Sequence, residues 1–142
     1  MPIVQGQTTL FKANILSGLE NFTLSSPYTY KIALYNANAN LNNTTIAYTS
    51  DNEVTGGGYT AGGQALTISN PPTQDTTNNI AFISFNNATW TGSITARGAL
   101  VYNSTTGAAC FILNFGNDIT SSNTFTVTFP TATSTSAVLT IS

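Results

Sequence analysis

The sequence predicts an all-β fold, an antiparallel β-sandwich or jelly roll with one short N-terminal helix. Short runs of β-branched and aromatic residues recur along the chain, separated by Gly, Asn, Ser and Thr turns, which is typical of sandwiches. The pattern shows no regular alternation of strands and helices, which argues against a parallel α/β sheet. With 142 residues, 41% of them hydrophobic, the chain can bury one core, and we expect residues 1–142 to form a single domain.

The N-terminal part is predicted to contain an arm and then a helix. Residues 1–8 have no clear pattern and are expected to form the arm. In residues 9–22 the apolar side chains Phe11, Ile15, Leu19 and Phe22 recur at helical spacing after a Thr-Thr start. Gly18 is expected to weaken or end this helix.

Every later element is predicted to be a strand. The predicted strands cover residues 28–35, 45–49, 64–69, 79–85, 88–91, 94–103, 108–115, 124–129 and 137–141. Pro71-Pro72 is expected to stop the 64–69 strand, because proline cannot donate to a β-ladder. The strands at 79–85 and 108–115 are apolar on both faces, so both faces need a cover. The N-terminal helix or another protein chain would supply it.

The composition is poor in charge and rich in small polar residues. Charged residues make up 6% of the chain, against about 25% in an average domain. They are Lys12, Lys31, Arg97, Glu20, Asp51, Glu53, Asp75 and Asp118. Without clustered Lys and Arg we expect no nucleic-acid binding. The net charge of −2 gives weak repulsion between copies, which favours self-association.

The sequence also argues against secretion and membrane insertion. Residues 1–6 have neither a basic nor an apolar signal region, and no apolar run approaches the length of a spanning helix. Cys110 is the sole cysteine and cannot form an internal disulfide. We therefore expect synthesis in a cytoplasm and no membrane partner.

The residues offer little chemistry, so we expect no enzyme. Histidine, the commonest general base, is absent from the sequence. Cys110 lies in an apolar run and is expected to be a buried structural residue. The glycine loop, residues 56–63, lacks the Gly-Lys-Ser/Thr ending of a phosphate-binding loop. It is expected to need positive φ angles and close backbone approach instead.

The acidic residues do not form a convincing site. Asp51 and Glu53 are the only close carboxylate pair, and oxygen ligands in a glycine-rich loop would suit calcium. The pair lacks further acids, however, and Asp75 and Asp118 are distant, so a glycosidase pair is poorly supported. We predict no catalytic, metal or cofactor-binding residues.

Two further features have alternative interpretations. Arg97 is the only arginine. Its guanidinium group would pair with the carboxylate of Glu53 or Asp51 and so join residues 51–63 to its own strand, or Arg97 would be a solvated strand residue. Trp90 is expected to anchor the core. The alternative is a sugar-stacking platform, which would combine it with the tyrosines at 28, 35, 48, 59 and 102.

Three segments resemble a known group of proteins. They are Tyr30-Lys31-Ile32-Ala33-Leu34-Tyr35, the run Asn52-Glu53-Val54-Thr55 with the glycine loop, and Ile94-Thr95-Ala96-Arg97-Gly98-Ala99-Leu100-Val101-Tyr102-Asn103. In this order and spacing, over about residues 28–130, they resemble small β-rich virion structural proteins of tailed bacteriophages. The resemblance implies a place in the phage particle and no catalytic residues.

The residues and the resemblance together predict a non-enzymatic virion structural protein assembled in the host cytoplasm. The leading hypothesis is a capsid decoration (cement) protein that packs against the major capsid protein, as a homo-oligomer such as a trimer. A fibre-base, neck or tail component, with fibre or neck proteins as partners, is the alternative in the same class. A carbohydrate-binding module that recognises the host surface is the alternative in a different class.

Overall fold

The computed structural model describes residues 2–130, 133 and 137–141. One helix and ten strands occur there: β1 (Gly6–Gln7), α1 (Thr9–Ser17), β2 (Tyr30–Tyr35), β3 (Gln64–Ala65), β4 (Ile68–Asp75), β5 (Ile80–Phe85), β6 (Ala88–Thr91), β7 (Thr95–Asn103), β8 (Ala109–Thr120), β9 (Thr124–Val127) and β10 (Leu139–Ile141).

The strands form three antiparallel sheets that pack in a sandwich-like manner, which confirms the predicted fold class. The largest sheet has the order β1-β8-β7-β2-β3, the second β10-β5-β4, and the third pairs β6 with β9. Aromatic and aliphatic side chains from all three sheets and from α1 join in one buried cluster. This cluster is the main core.

The helix is shorter than predicted. Thr8 caps its start, because the Thr8 hydroxyl accepts from the Phe11 amide at 3.0 Å and donates to the Ala109 carbonyl at 3.0 Å. Gly18 ends it in a left-handed conformation with φ 74°. The predicted helical span of residues 9–22 is therefore too long, whereas the expectation that Gly18 weakens or ends the helix is confirmed. Phe22 does reach the core, where its ring stacks on Tyr30 at 4.5 Å, but it reaches it from a loop.

The chain itself covers both faces of the first half of β8. On one face α1 packs against the strand, with the Phe11 and Phe111 rings 6.1 Å apart. On the other face Ile112 belongs to a second buried cluster with Ile3 and Leu41. Ile3 forms a β-bridge with Leu41, so the N-terminal arm is part of the fold. No second chain is needed to cover these faces.

The other two-sided strand, β5, is covered only in part. Ile83 and Phe85 are buried, whereas Ile80 and Phe82 are half-buried and Ala81 is exposed. The first half of β5 therefore presents apolar side chains at the protein surface.

Several strand boundaries differ from the prediction. Pro71 and Pro72 do not stop a strand, because they lie inside β4, an edge strand whose register shifts around them. Edges and irregularities are where a missing amide is tolerated. The 45–49 strand is absent, and Ala47 makes only an isolated bridge to Ala108. β8 continues to Thr120, five residues beyond its predicted end.

Candidate functional site

A buried carboxylate organises the most polar part of the interior. A β-bridge to Tyr35 places Glu53 beside β2, and its side chain is buried. Its carboxylate accepts hydrogen bonds from the Tyr48 hydroxyl at 2.6 Å, the Tyr59 hydroxyl at 2.5 Å and the Gly62 amide at 2.7 Å. Such bonds to an ionised acceptor are stronger than neutral ones. Glu53 therefore holds the glycine loop to the segment before it.

Two more tyrosines complete this arrangement. The Tyr102 hydroxyl donates to the Gly62 carbonyl at 2.7 Å, and the Tyr35 hydroxyl donates to the Thr49 carbonyl at 2.6 Å. The rings of Tyr48 and Tyr102 stack with their centroids 4.8 Å apart. We call the four phenols around Glu53 the tyrosine cage: Tyr35, Tyr48, Tyr59 and Tyr102.

The interior raises the pKa of five tyrosines, the four of the cage and Tyr30. Burial is the largest cause for each of them, and the Glu53 carboxylate raises the pKa of the four cage phenols further. Burial likewise raises the pKa of Tyr30, with the Glu20 carboxylate beside it as a smaller cause. In the folded state these hydroxyls therefore stay protonated, and able to donate, well above their ordinary range.

The tyrosines should make the protein sensitive to alkali. An unfolded chain releases phenolic protons near pH 10, before the folded chain does. The folded state then binds more protons, so the tyrosine contribution to stability is fully present below about pH 10 and is lost as the pH rises further. We expect urea unfolding midpoints to be level from pH 7 to 8. They should fall slightly from about pH 8.5, where the Cys110 thiol ionises in the unfolded chain but not in the folded one, and drop more steeply above about pH 10. Constant stability through that range, with tyrosinate absorbance appearing in the folded protein, would contradict this account.

The glycine loop packs closely on its neighbours, as the sequence predicted. Gly57 and Gly58 have positive φ angles, and a Cβ at either would overlap the carbonyl oxygen of Ser93 or Thr91. Gly63 lies equally close to the Ile32 carbonyl of β2. The loop therefore contacts the turn that leads into β7 and the edge of β2.

Arg97 does not join this loop. Its Nε donates to Asp118 Oδ1 at 2.9 Å, and both side chains are well exposed. The predicted pairing with Glu53 or Asp51 is therefore wrong. The pairing of Arg97 with Asp118 was not predicted because Asp118 lies where β8 departs from regular register with β7. A long irregular stretch of this kind gives no periodic signal in the sequence.

Arg97→Lys should therefore have little effect. Exposed ion pairs contribute little to stability, so we expect a change within about 0.5 kcal/mol in the free energy of unfolding. Chemical denaturation of both proteins measures it. A decrease of more than about 1 kcal/mol in the free energy of unfolding would show that the guanidinium group of Arg97 contributes more than an exposed ion pair.

Asp51 and Glu53 do not form a common site. Asp51 is exposed, whereas the Glu53 carboxylate is buried and occupied by its three donors. Among the residues that the structure describes, no three His, Cys, Asp or Glu side chains are grouped as metal ligands.

Trp90 is a core residue, as predicted. Its ring lies 6.0 Å from that of Tyr59 and 6.2 Å from that of Phe125, and 6% of the residue is exposed. The tyrosines at 35, 59 and 102 are buried as well, which leaves Tyr28 and Tyr48 partly exposed. Trp90 is therefore not accessible for stacking on a sugar, as the alternative interpretation required.

Cys110 and Glu20 form a second polar contact inside the protein. The Cys110 thiol is fully buried, 3.7 Å from Glu20 Oε2, and burial raises the pKa of this thiol. Glu20 Oε1 accepts from the Tyr30 hydroxyl at 3.0 Å and from Asn103 Nδ2 at 2.9 Å. Glu20 thus ties the segment after α1 to β2 and β7, a role that its sequence context does not reveal.

The surface near the end of α1 is unusually apolar. Leu16, Leu19 and Leu24 are 90%, 51% and 75% exposed, and we call them the leucine surface. Gly18 and Glu20, the chain neighbours of Leu19, line an open cleft of about 370 Å³ between the end of α1 and the strands β5 and β10. We call this cleft the apolar groove; its lining includes Ile15, Phe22, Ala81, Phe82, Leu139 and Ile141.

No protein-family model, no curated protein and no solved structure matches this chain. In the described part of the chain no helix has the length and apolar character needed to cross a membrane.

Proposed function

We propose that this chain is a non-enzymatic structural protein of a tailed-bacteriophage particle, a capsid decoration protein that packs against coat subunits. The observation that carries the proposal is the leucine surface with the adjoining apolar groove. Exposed leucines are ordinary when scattered, but three occur within residues 16–24, and Gly18, Glu20 and Phe22 of the same segment line an apolar cleft. This combination favours a surface that a partner covers.

The partly covered first half of β5 supports the same interpretation. Ala81 and Phe82 line the groove, and Ile141 beside them is 54% exposed. A second protein bound here would cover the exposed part of β5, as α1 and the N-terminal arm cover β8. The low charge of the chain favours contact through apolar and main-chain groups over ionic attraction.

The proposed location in a phage particle rests on the three segments around β2, the glycine loop and β7, which resemble virion structural proteins of tailed bacteriophages. A fibre-base, neck or tail position would use the same surface and stays the alternative. A homo-oligomer such as a trimer stays a prediction, and its support is now the leucine surface, because β8 needs no second chain. Of the aromatic residues named for the carbohydrate-binding alternative, only Tyr28 and Tyr48 are partly exposed.

A binding experiment with surface variants tests the proposal. Purified protein would be added to phage capsids that lack it, and the bound fraction measured by sedimentation. The double variant Leu16→Ser/Leu24→Ser should bind at least about tenfold more weakly, because each buried leucine contributes about 1.5–3 kcal/mol. Circular dichroism would confirm that it folds.

Ile119→Ser provides the matched control. Ile119 is 44% exposed and pairs with Ala96 near the start of β7. The last residue of β7, Asn103, donates to Glu20, which follows Leu19 of the leucine surface in the chain. Ala96 and Asn103 are seven positions apart in β7, which corresponds to about 23 Å along the strand. The control should bind like the unaltered protein. Equal binding by the leucine variant would contradict the proposed surface.

A further inference from the structure

The apolar groove carries a negative charge that the chain itself does not neutralise. Two of the residues that line it, Glu20 and Asn21, have polar side chains, and among the described lining residues Glu20 is the only charged one. The ion pair found in the described part of the chain joins Arg97 to Asp118, so no described Lys or Arg pairs with Glu20. A partner that fills the groove therefore meets an unpaired carboxylate.

The two oxygens of this carboxylate differ in their contacts. Oε1 of Glu20 accepts from the Tyr30 hydroxyl at 3.0 Å and from Asn103 Nδ2 at 2.9 Å, which uses its accepting capacity. Oε2 has Asn14 Nδ2 at 3.5 Å and the Cys110 thiol at 3.7 Å. Good N–H···O bonds are about 2.7–3.2 Å long, and a thiol is a weak donor. Oε2 can therefore still accept a strong hydrogen bond.

The carboxylate is held in place by the sheet. Tyr30 begins β2, Asn103 ends β7, and both residues are buried. The Tyr30 hydroxyl also accepts from the Asn21 amide at 2.9 Å, and the Phe22 ring stacks on the Tyr30 ring at 4.5 Å. These contacts order the segment that carries Glu20 before any partner binds. An acceptor that is already ordered costs the partner less conformational entropy on binding.

We propose that the apolar groove receives a lysine side chain of a coat subunit, with the ammonium group bound to Glu20 Oε2 and the four-carbon stem on the apolar lining. The inference rests on the proposed function, which supplies the coat subunit. Lysine stems pack along apolar surfaces while the charged end keeps a polar contact. A cleft of about 370 Å³ that is mostly apolar and has few polar groups is typical of a specific binding site. Glu20 would repel an acidic residue, so the charge of the groove selects a cation.

Small amphiphiles test the chemistry of the groove without capsids. The unaltered protein would be titrated with n-hexylammonium, n-hexanol and hexanoate, and NMR would follow the methyl groups of Ala81, Ile83 and Ile141, which line the groove. Hexylammonium should bind at least about tenfold more tightly than hexanoate, because it adds a charge-assisted hydrogen bond, and hexanol should lie between them. Equal affinity of the three probes, or a preference for hexanoate, would overturn the inference.

Glu20→Gln removes the charge and keeps one oxygen that can accept from Tyr30 and Asn103. In this variant the preference for hexylammonium over hexanol should disappear. Asp51→Asn is the matched control, because it removes the same charge from an exposed residue outside the groove, and it should keep the preference. A preference that persists in Glu20→Gln would contradict the assignment to this carboxylate. If Glu20→Gln does not fold, the comparison of the three probes on the unaltered protein still decides.

Capsid binding separates this inference from the proposed function. Glu20→Gln should bind capsids at least about tenfold more weakly than the unaltered protein, and Asp51→Asn should bind equally well. Weak binding by Leu16→Ser/Leu24→Ser with unchanged binding by Glu20→Gln would leave the leucine surface in place and overturn the lysine contact. If the unaltered protein did not bind capsids, the proposed function would fail, and with it the coat subunit as the source of the lysine, whereas the probes would still decide whether the groove takes an alkylammonium group.

Discussion

Glu53→Ala should destabilise the protein by about 3–5 kcal/mol, a large share of the 5–15 kcal/mol that holds a typical domain folded. The substitution leaves the Tyr48 and Tyr59 hydroxyls and the Gly62 amide without their shared acceptor. An unsatisfied buried donor such as the Tyr59 hydroxyl costs about 1–3 kcal/mol, and the half-buried Tyr48 hydroxyl and Gly62 amide each lose a hydrogen bond to a charged acceptor. Urea unfolding, followed by tryptophan fluorescence from Trp90 beside Tyr59, measures the loss.

Asp51→Ala is the matched control, because it removes a carboxylate two positions away that is exposed. Its effect should lie within about 0.5 kcal/mol. Glu53→Gln should fall between the two, since the amide keeps one accepting oxygen but cannot accept from Tyr48 through its nitrogen. Equal stability of the two alanine variants would show that the carboxylate of Glu53 is not what organises the tyrosine cage.

Gly63→Ala should also be severely destabilising, by about 3–5 kcal/mol. Part of the cost is the left-handed backbone at φ +75°, and the larger part is the overlap of the new Cβ with the Ile32 carbonyl and the Ala33 backbone. These are backbone atoms of a strand held on both edges, so they cannot move aside cheaply. The same unfolding measurement applies.

Gly56→Ala separates the two costs. Gly56 has the same φ of +75°, but a Cβ there would meet no atom within 4 Å. Only the conformational cost of about 1–2 kcal/mol should remain. If both alanine variants lost the same stability, close approach of the loop to β2 would not be the reason for a glycine at position 63.

The fold class was predictable because its signals are local. Strand 88–91 was predicted with its observed bounds, since Thr and apolar residues alternate there and both ends carry turn residues. In contrast, β4 was cut short at Pro71. The rule that proline ends a strand holds for central strands, and the sequence does not say which strand lies at an edge.

The polar interior was only partly predictable. The glycine loop was identified because a cluster of glycines indicates positive φ angles and close approach of the backbone. Glu53 was considered as a calcium ligand or a partner of Arg97, although its real partners are phenols at positions 48 and 59. Hydroxyl partners carry no charge and have no characteristic spacing, so nothing in the sequence distinguishes a tyrosine that bonds a carboxylate from one that only packs.

The copy number of this chain in purified phage particles tests the central proposal most directly. Quantitative mass spectrometry of intact virions, calibrated against the major capsid protein, gives that number. A decoration protein repeats with the symmetry of the shell, so we expect a copy number of the same order as that of the capsid protein. A far lower number would place the chain at the neck, tail or fibre base, and its absence from purified particles would contradict a structural role in the virion.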